Sequence, residues 1–171
     1  MKKYFFLLLL VVLLGGLGFA GYKLFKHQEE RREFERSTNN YSELTKIRAE
    51  LVALAGEPKD YNQPTLVVFF NSECDHCQAE ALEIAQHLEE FLSGQIWWIS
   101  FQEPENILNF LESYGLMDYS GSFPFSIEPE KAQRLFGRIR MPQTMVFENN
   151  RIQAEFIGEV DFAEELADFF D

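Results

Sequence analysis

With 171 residues and 46% apolar side chains, the chain can form one domain with a sizeable core and is too short to argue for two. Its charge is uneven: residues 1–36 carry seven Lys/Arg against four Asp/Glu, and residues 37–171 carry eight against twenty-four. A body that acidic repels phosphate backbones, which argues against nucleic acid as a partner, and it keeps the domain soluble.

The amino terminus, MKKYFFLLLLVVLLGGLGFAGYKLFK, contains nineteen consecutive uncharged, mostly apolar residues at positions 4–22. At about 1.5 Å rise per residue the run nearly spans a bilayer core, which needs about 20 residues. Residues 1–25 therefore read as a membrane anchor or uncleaved signal, with a cleaved signal peptide ending near Gly18-Phe19-Ala20 as the competitor. Each reading sends the body to the periplasmic or extracytoplasmic side. One feature opposes it: Lys23, Lys26, Arg31, Arg32 and Arg36 outnumber Lys2 and Lys3, contrary to the positive-inside rule. Residues 26–40 form a charged stalk, and residues 41–171 the globular domain.

Asn40 and Glu43 make a capping-box signature for an amphipathic helix through Tyr41, Leu44, Ile47, Leu51 and Leu54, closing before Gly56-Glu57-Pro58. PTLVVFF then reads as a strand buried on both faces. The stretch from Asp75 to Leu92 predicts a helix of about five turns. QIWWIS is a second buried strand, with Trp97 and Trp98 as sheet core. PENILNFLESYG is a helix opened by Pro104 and closed by Gly115. A weaker strand around Phe123–Ile127 precedes the short helix PEKAQRLFG. QTMVFENNRIQAEFIG predicts a hairpin around Asn149-Asn150, and DFAEELADFF a closing helix. This alternation calls for an α/β fold, a central mixed sheet flanked by helices.

The only cysteines, Cys74 and Cys77, stand two residues apart in FFNSECDHCQAEA, where a buried strand gives way to a long helix. A lone C-x-x-C is compatible with a redox couple, half a metal site or a local staple. A helix start offers unpaired N–H groups and partial positive charge, which stabilise the thiolate that exchange chemistry needs. Cys77, one turn on, is near enough to resolve a mixed disulfide. A structural zinc site wants four Cys or His ligands, and beyond the pair there are only His27, His76 and His87, so no metal is expected. Attachment of c-type haem needs His where Gln78 stands, and so short a loop gives a structural disulfide little to restrain. His76 and Asp75 are the tuning candidates. A cationic ring favours the Cys74 thiolate, and the Asp75 and Glu73 carboxylates disfavour it.

The strand, the C-x-x-C at a helix start and the later RMPQTMVFENNRIQAEFIG together resemble the thioredoxin-like superfamily over roughly residues 51–170. The segment from Pro104 to Phe136, inserted between QIWWIS and Met141-Pro142, is similar to the added elements of the membrane-tethered redoxins of the TlpA and ResA kind. The resemblance implies that Cys74 attacks, Cys77 resolves, Pro142 is a cis-proline and Met141 flanks the substrate groove. It implies thiol–disulfide exchange without a cofactor, reducing extracytoplasmic cysteine proteins and drawing on a membrane or thiol electron donor. The sequence departs from the family in three places: Glu73 replaces the usual Trp, Asp75-His76 replaces Gly-Pro, and Val68 stands where thioredoxins bury an Asp. A thiol peroxidase and a redox-silent binding module on the same fold are the alternatives. The peroxidase lacks its P-x-x-x-T-x-x-C string before Cys74.

Overall fold

The structure is a computed structural model that describes residues 43–91, 94–166 and 169–170. The expected anchor and stalk, residues 1–40, lie outside the described residues, among which no helix is long and apolar enough to cross a membrane.

Six strands form one mixed sheet in the order β1-β4-β3-β2-β5-β6. The strands are β1 (Val52–Ala53), β2 (Thr65–Phe69), β3 (Gln95–Ser100), β4 (Ser122–Ser126), β5 (Gln143–Glu148) and β6 (Arg151–Ile157). β2, β3 and β4 run parallel, whereas β1, β5 and β6 each pair antiparallel with their neighbour. All residues of β2 and β3 are buried, as expected of continuous β-branched and aromatic strands with helices on both faces. The two-residue period of the strand sends Trp98 into one core and Trp97 into the other, and both are fully buried.

The helices are α1 (Leu44–Arg48), α2 (Asp75–Gln86), α3 (Pro104–Ser113) and α4 (Pro129–Phe136). α2 and α3 pack with Trp98, through Cys77, Ala81, Ile84, Ile107, Phe110 and Leu111. α1 and α4 pack with Trp97, through Leu44, Ile47, Ala132, Leu135 and Phe136. Gly115, at φ 68, follows the end of α3, a conformation that favours residues without a Cβ. The expected hairpin is present, with Asn149 and Asn150 both at positive φ, as a two-residue turn between right-twisted strands requires.

Three expectations about helix length differ from the structure. The leading helix does not run to Leu54: α1 ends at Arg48, whose Nη1 donates to the Leu51 carbonyl at 3.0 Å, and Val52–Ala53 leave to pair with Ser126 and Phe125. Its start is also capped differently. Asn40 lies outside the described residues, and the free amides of Leu44 and Thr45 donate to the carbonyl and Oδ1 of Asn150, at 3.2 and 2.9 Å. The long helix after the cysteines breaks at Gln86 into a 3-10 turn, Leu88–Phe91, whose Phe91 ring packs against Phe162 and Phe170 at 4.9 and 4.5 Å. In the closing segment Phe162–Leu166 form a π-helical turn, and residues 167, 168 and 171 lie outside the described residues. In the first two cases tertiary contacts of edge-strand or aromatic residues outweigh local helix propensity.

Candidate active site

The site lies at the carboxyl ends of the parallel strands, where open α/β sheets bind their ligands. The loop leaving β2 is pinned from several sides. The Ser72 N–H donates to Gln102 Oε1 at 2.7 Å, Gln102 Nε2 donates to Ser72 Oγ at 2.9 Å, and Gln78 Nε2 donates to the Ser72 carbonyl at 2.9 Å. Asn71 closes the turn by accepting from the Glu73 N–H at 2.8 Å through Oδ1 and from the Cys74 N–H at 3.1 Å through its carbonyl.

This loop delivers Cys74 to the N-cap of α2 with φ −94 and ψ 118. The side chain makes no capping hydrogen bond, and the residue is half-buried at the positive end of a helix of twelve residues. Cys77 sits one turn on and is 1% exposed. Both are free thiols. Burial pushes the Cys77 thiol up to about 12; a hydrogen bond to the Asn71 backbone works against that rise, and its contact with Cys74 and the charge of Glu80 add to it. The two sulfurs therefore differ in kind: one is accessible and the other is held as a protonated thiol.

Met141 and Pro142 face the pair. Their peptide bond is cis, and the Cys74 thiol points at the Met141 carbonyl, 3.8 Å away. Pro142 is buried and Met141 half-buried. The tuning candidates His76 and Asp75 are exposed on the first turn of α2, where His76 is engaged by a residue beyond β6. Its Nδ1 meets Glu159 Oε1 at 2.5 Å, and that carboxylate, through hydrogen bond and charge, holds the imidazole above its ordinary value. His87 stacks on Phe162 at 4.9 Å, at the far end of α2.

Glu80 is a site residue that the sequence-based expectations do not single out. The family's buried acid belongs on the central strand, where this chain has Val68. The structure supplies the carboxyl from the helix instead: Glu80 is 1% exposed, one turn beyond Cys77, with Oε1 accepting from Thr144 Oγ1 at 3.1 Å and Oε2 from the Val160 N–H at 2.8 Å. Thr144 is the cross-strand partner of Val68, so the carboxyl arrives beside the same point of the sheet by another route. Burial raises Glu80 to about 7, with the Val160 N–H and the Thr144 hydroxyl pulling it back down. The signal was present in the spacing, because Cys77, Glu80, Ala81 and Ile84 form one buried face at i, i+3, i+4 and i+7. A carboxylate inside such a stripe is the informative residue.

The pair thus comprises an accessible sulfur at a helix start and a buried sulfur one turn away, with a buried acid titrating near neutrality beside it. That set can attack a disulfide, resolve the intermediate and accept the proton released.

No protein-family model and no curated protein matches the chain. Solved structures do. It is similar to a secreted Mycobacterium tuberculosis disulfide oxidoreductase homologous to Escherichia coli DsbE, with 15% identity over 70% of this chain and 91% of that one and a TM-score of 0.56. It is similar to the thioredoxin domain of a thiol-disulfide oxidoreductase from Bacteroides vulgatus, with 14% identity over 64% and 81% and a TM-score of 0.53. The peroxidoxin BcpB from Mycobacterium tuberculosis also matches, at 16% identity over 71% and 90% with a TM-score of 0.53. At these identities the likeness establishes the fold, which is the thioredoxin-like α/β fold.

Proposed function

We propose that this protein is a membrane-anchored thiol–disulfide oxidoreductase that reduces disulfides of extracytoplasmic proteins. The observation that carries the reading is the asymmetric pair: half-buried Cys74 at the start of α2, and buried Cys77 beside the Glu80 carboxyl.

In the forward half-reaction the Cys74 thiolate attacks a client disulfide. A Cys74–client sulfur bond forms, the client S–S bond breaks, and the first client sulfur leaves and takes up a proton. Cys77 then gives its proton to the ionised Glu80 carboxylate and attacks Cys74 Sγ. The intramolecular disulfide forms and the second client sulfur leaves, to be protonated in turn. Two electrons pass from the dithiol to the client, and a membrane or thiol donor must return them. The cis Met141–Pro142 turn places a backbone carbonyl against Cys74, where an extended client segment can lie alongside.

The reducing direction follows from the resemblance to the membrane-tethered redoxins. The anchor rests on the apolar run at positions 4–22.

The test is trapping. Cys77→Ser should accumulate a mixed disulfide between Cys74 and a disulfide-bonded peptide, visible by mass and released by reductant. Cys74→Ser should show neither trapping nor exchange. Exchange retained in the Cys74→Ser protein sinks the proposal.

A further inference from the structure

Three consecutive residues after β6 touch three separate parts of the site. The Gly158 N–H donates to the Pro142 carbonyl at 2.9 Å. The Glu159 carboxylate meets His76 Nδ1 at 2.5 Å. The Val160 N–H donates to Glu80 Oε2 at 2.8 Å. Gly158 adopts φ 98, a conformation that L side chains rarely adopt, and this allows the strand to end and the next two residues to turn back over α2. The cis-proline turn, the residue between the two cysteines and the buried acid are thereby tied to one short strap.

The side chain of that strap has a consequence for the couple. An imidazolium between the cysteines would add positive charge at the helix start and stabilise a thiolate, which favours the dithiol and makes the disulfide more oxidising. Glu159 engages that imidazole through Nδ1, so the strap sets where the ring and its charge lie. The Glu159 charge also opposes ionisation of Glu80, which removes charge that would otherwise disfavour the Cys77 thiolate and so works weakly the other way.

We infer that Glu159 is a positioning residue for the Cys74–Cys77 couple: it holds His76 off the attacking sulfur and so keeps the protein on the reducing side. The inference rests on the exchange reading proposed above. Because the His76 and Glu159 side chains are 73% and 52% exposed, the effect is modest.

The full chain in detergent, equilibrated at about pH 6 with graded ratios of reduced and oxidised dithiothreitol, tests it, since a free imidazole is largely protonated there. Glu159→Gln should shift the equilibrium toward the dithiol by about two- to fivefold. In a His76→Ala background the same substitution should lose most of that effect, an outcome that a merely structural role for Glu159 does not produce. A Glu159→Gln couple identical to wild type, or a shift undiminished without His76, overturns the inference and leaves the exchange reading standing. A wild-type chain that never forms the Cys74–Cys77 disulfide overturns both.

Discussion

Replacing Glu80 by Gln should make the protein more stable and a slower exchanger. Burial raises the carboxyl from 4.5 to about 7. The folded state therefore prefers the protonated form: the associated stability is complete below about pH 4.5, declines as pH rises and is lost above about pH 7. That gap, at about 1.4 kcal/mol per pH unit, means that ionising Glu80 weakens the fold by about 3 kcal/mol at about pH 8. Gln keeps both partners, since its carbonyl can accept from the Val160 N–H and its amide can donate to the Thr144 hydroxyl, and it does not ionise. Glu80→Gln should lie within about 1 kcal/mol of wild type at about pH 5 and gain up to about 3 kcal/mol at about pH 8. Urea unfolding followed by the fluorescence of buried Trp97 and Trp98 reads both values. Without an acceptor for the Cys77 proton, the rate of disulfide exchange near neutral pH should fall about 100-fold. Equal stability changes at the two pH values would refute the claim that the carboxyl resists ionisation. An unchanged exchange rate would refute its role as proton acceptor.

Other expectations follow from single contacts. Because Cys77 is 1% exposed and its thiol is held up to about 12, iodoacetamide at near-neutral pH should label Cys74 first, with Cys77 slower by at least about tenfold, as peptide mass mapping would show. In an NMR titration His76 should titrate above 6.5, and Glu159→Gln should bring it back toward that value; no movement would mean that the ion pair does not form in solution. Ser122→Ala removes the acceptor of the buried Trp98 indole N–H, now at 3.0 Å, and should cost about 1–3 kcal/mol in the same urea assay. Gly158→Ala places a Cβ at φ 98 and should destabilise by about 1 kcal/mol or more, with a measurable change in exchange rate because the strap moves.

Much of the fold was legible because its elements are strongly patterned. The five- and six-residue buried strands, the proline-opened helices and the Asn149-Asn150 turn each follow from local chemistry, and the C-x-x-C could be placed at a helix start on that map alone. The failures lie where distant residues decide. Leu51 to Leu54 continue a helical apolar period, yet two of those residues complete the edge of the sheet beside β4, and the donors of α1 are satisfied by Asn150, about a hundred positions away. At the site, residue type and spacing carry the two sulfurs, whereas the cis bond at Pro142 was legible only through the family resemblance. Glu80 was not identified, because the expectation was tied to a strand position; it is held by Thr144 and Val160, which come close only in three dimensions. The pairing of His76 with Glu159, eighty-three positions on, was invisible for the same reason.

The most direct test of the central claim is a redox titration of the two cysteines in the intact chain, with alkylation to trap each state and mass to count it. Exchange chemistry predicts one two-electron transition, from a doubly alkylated chain to an unalkylated Cys74–Cys77 disulfide, near thioredoxin's value of about −270 mV. A couple near about −120 mV would contradict the reducing assignment, and cysteines that stay separate thiols at every ratio would contradict the oxidoreductase itself.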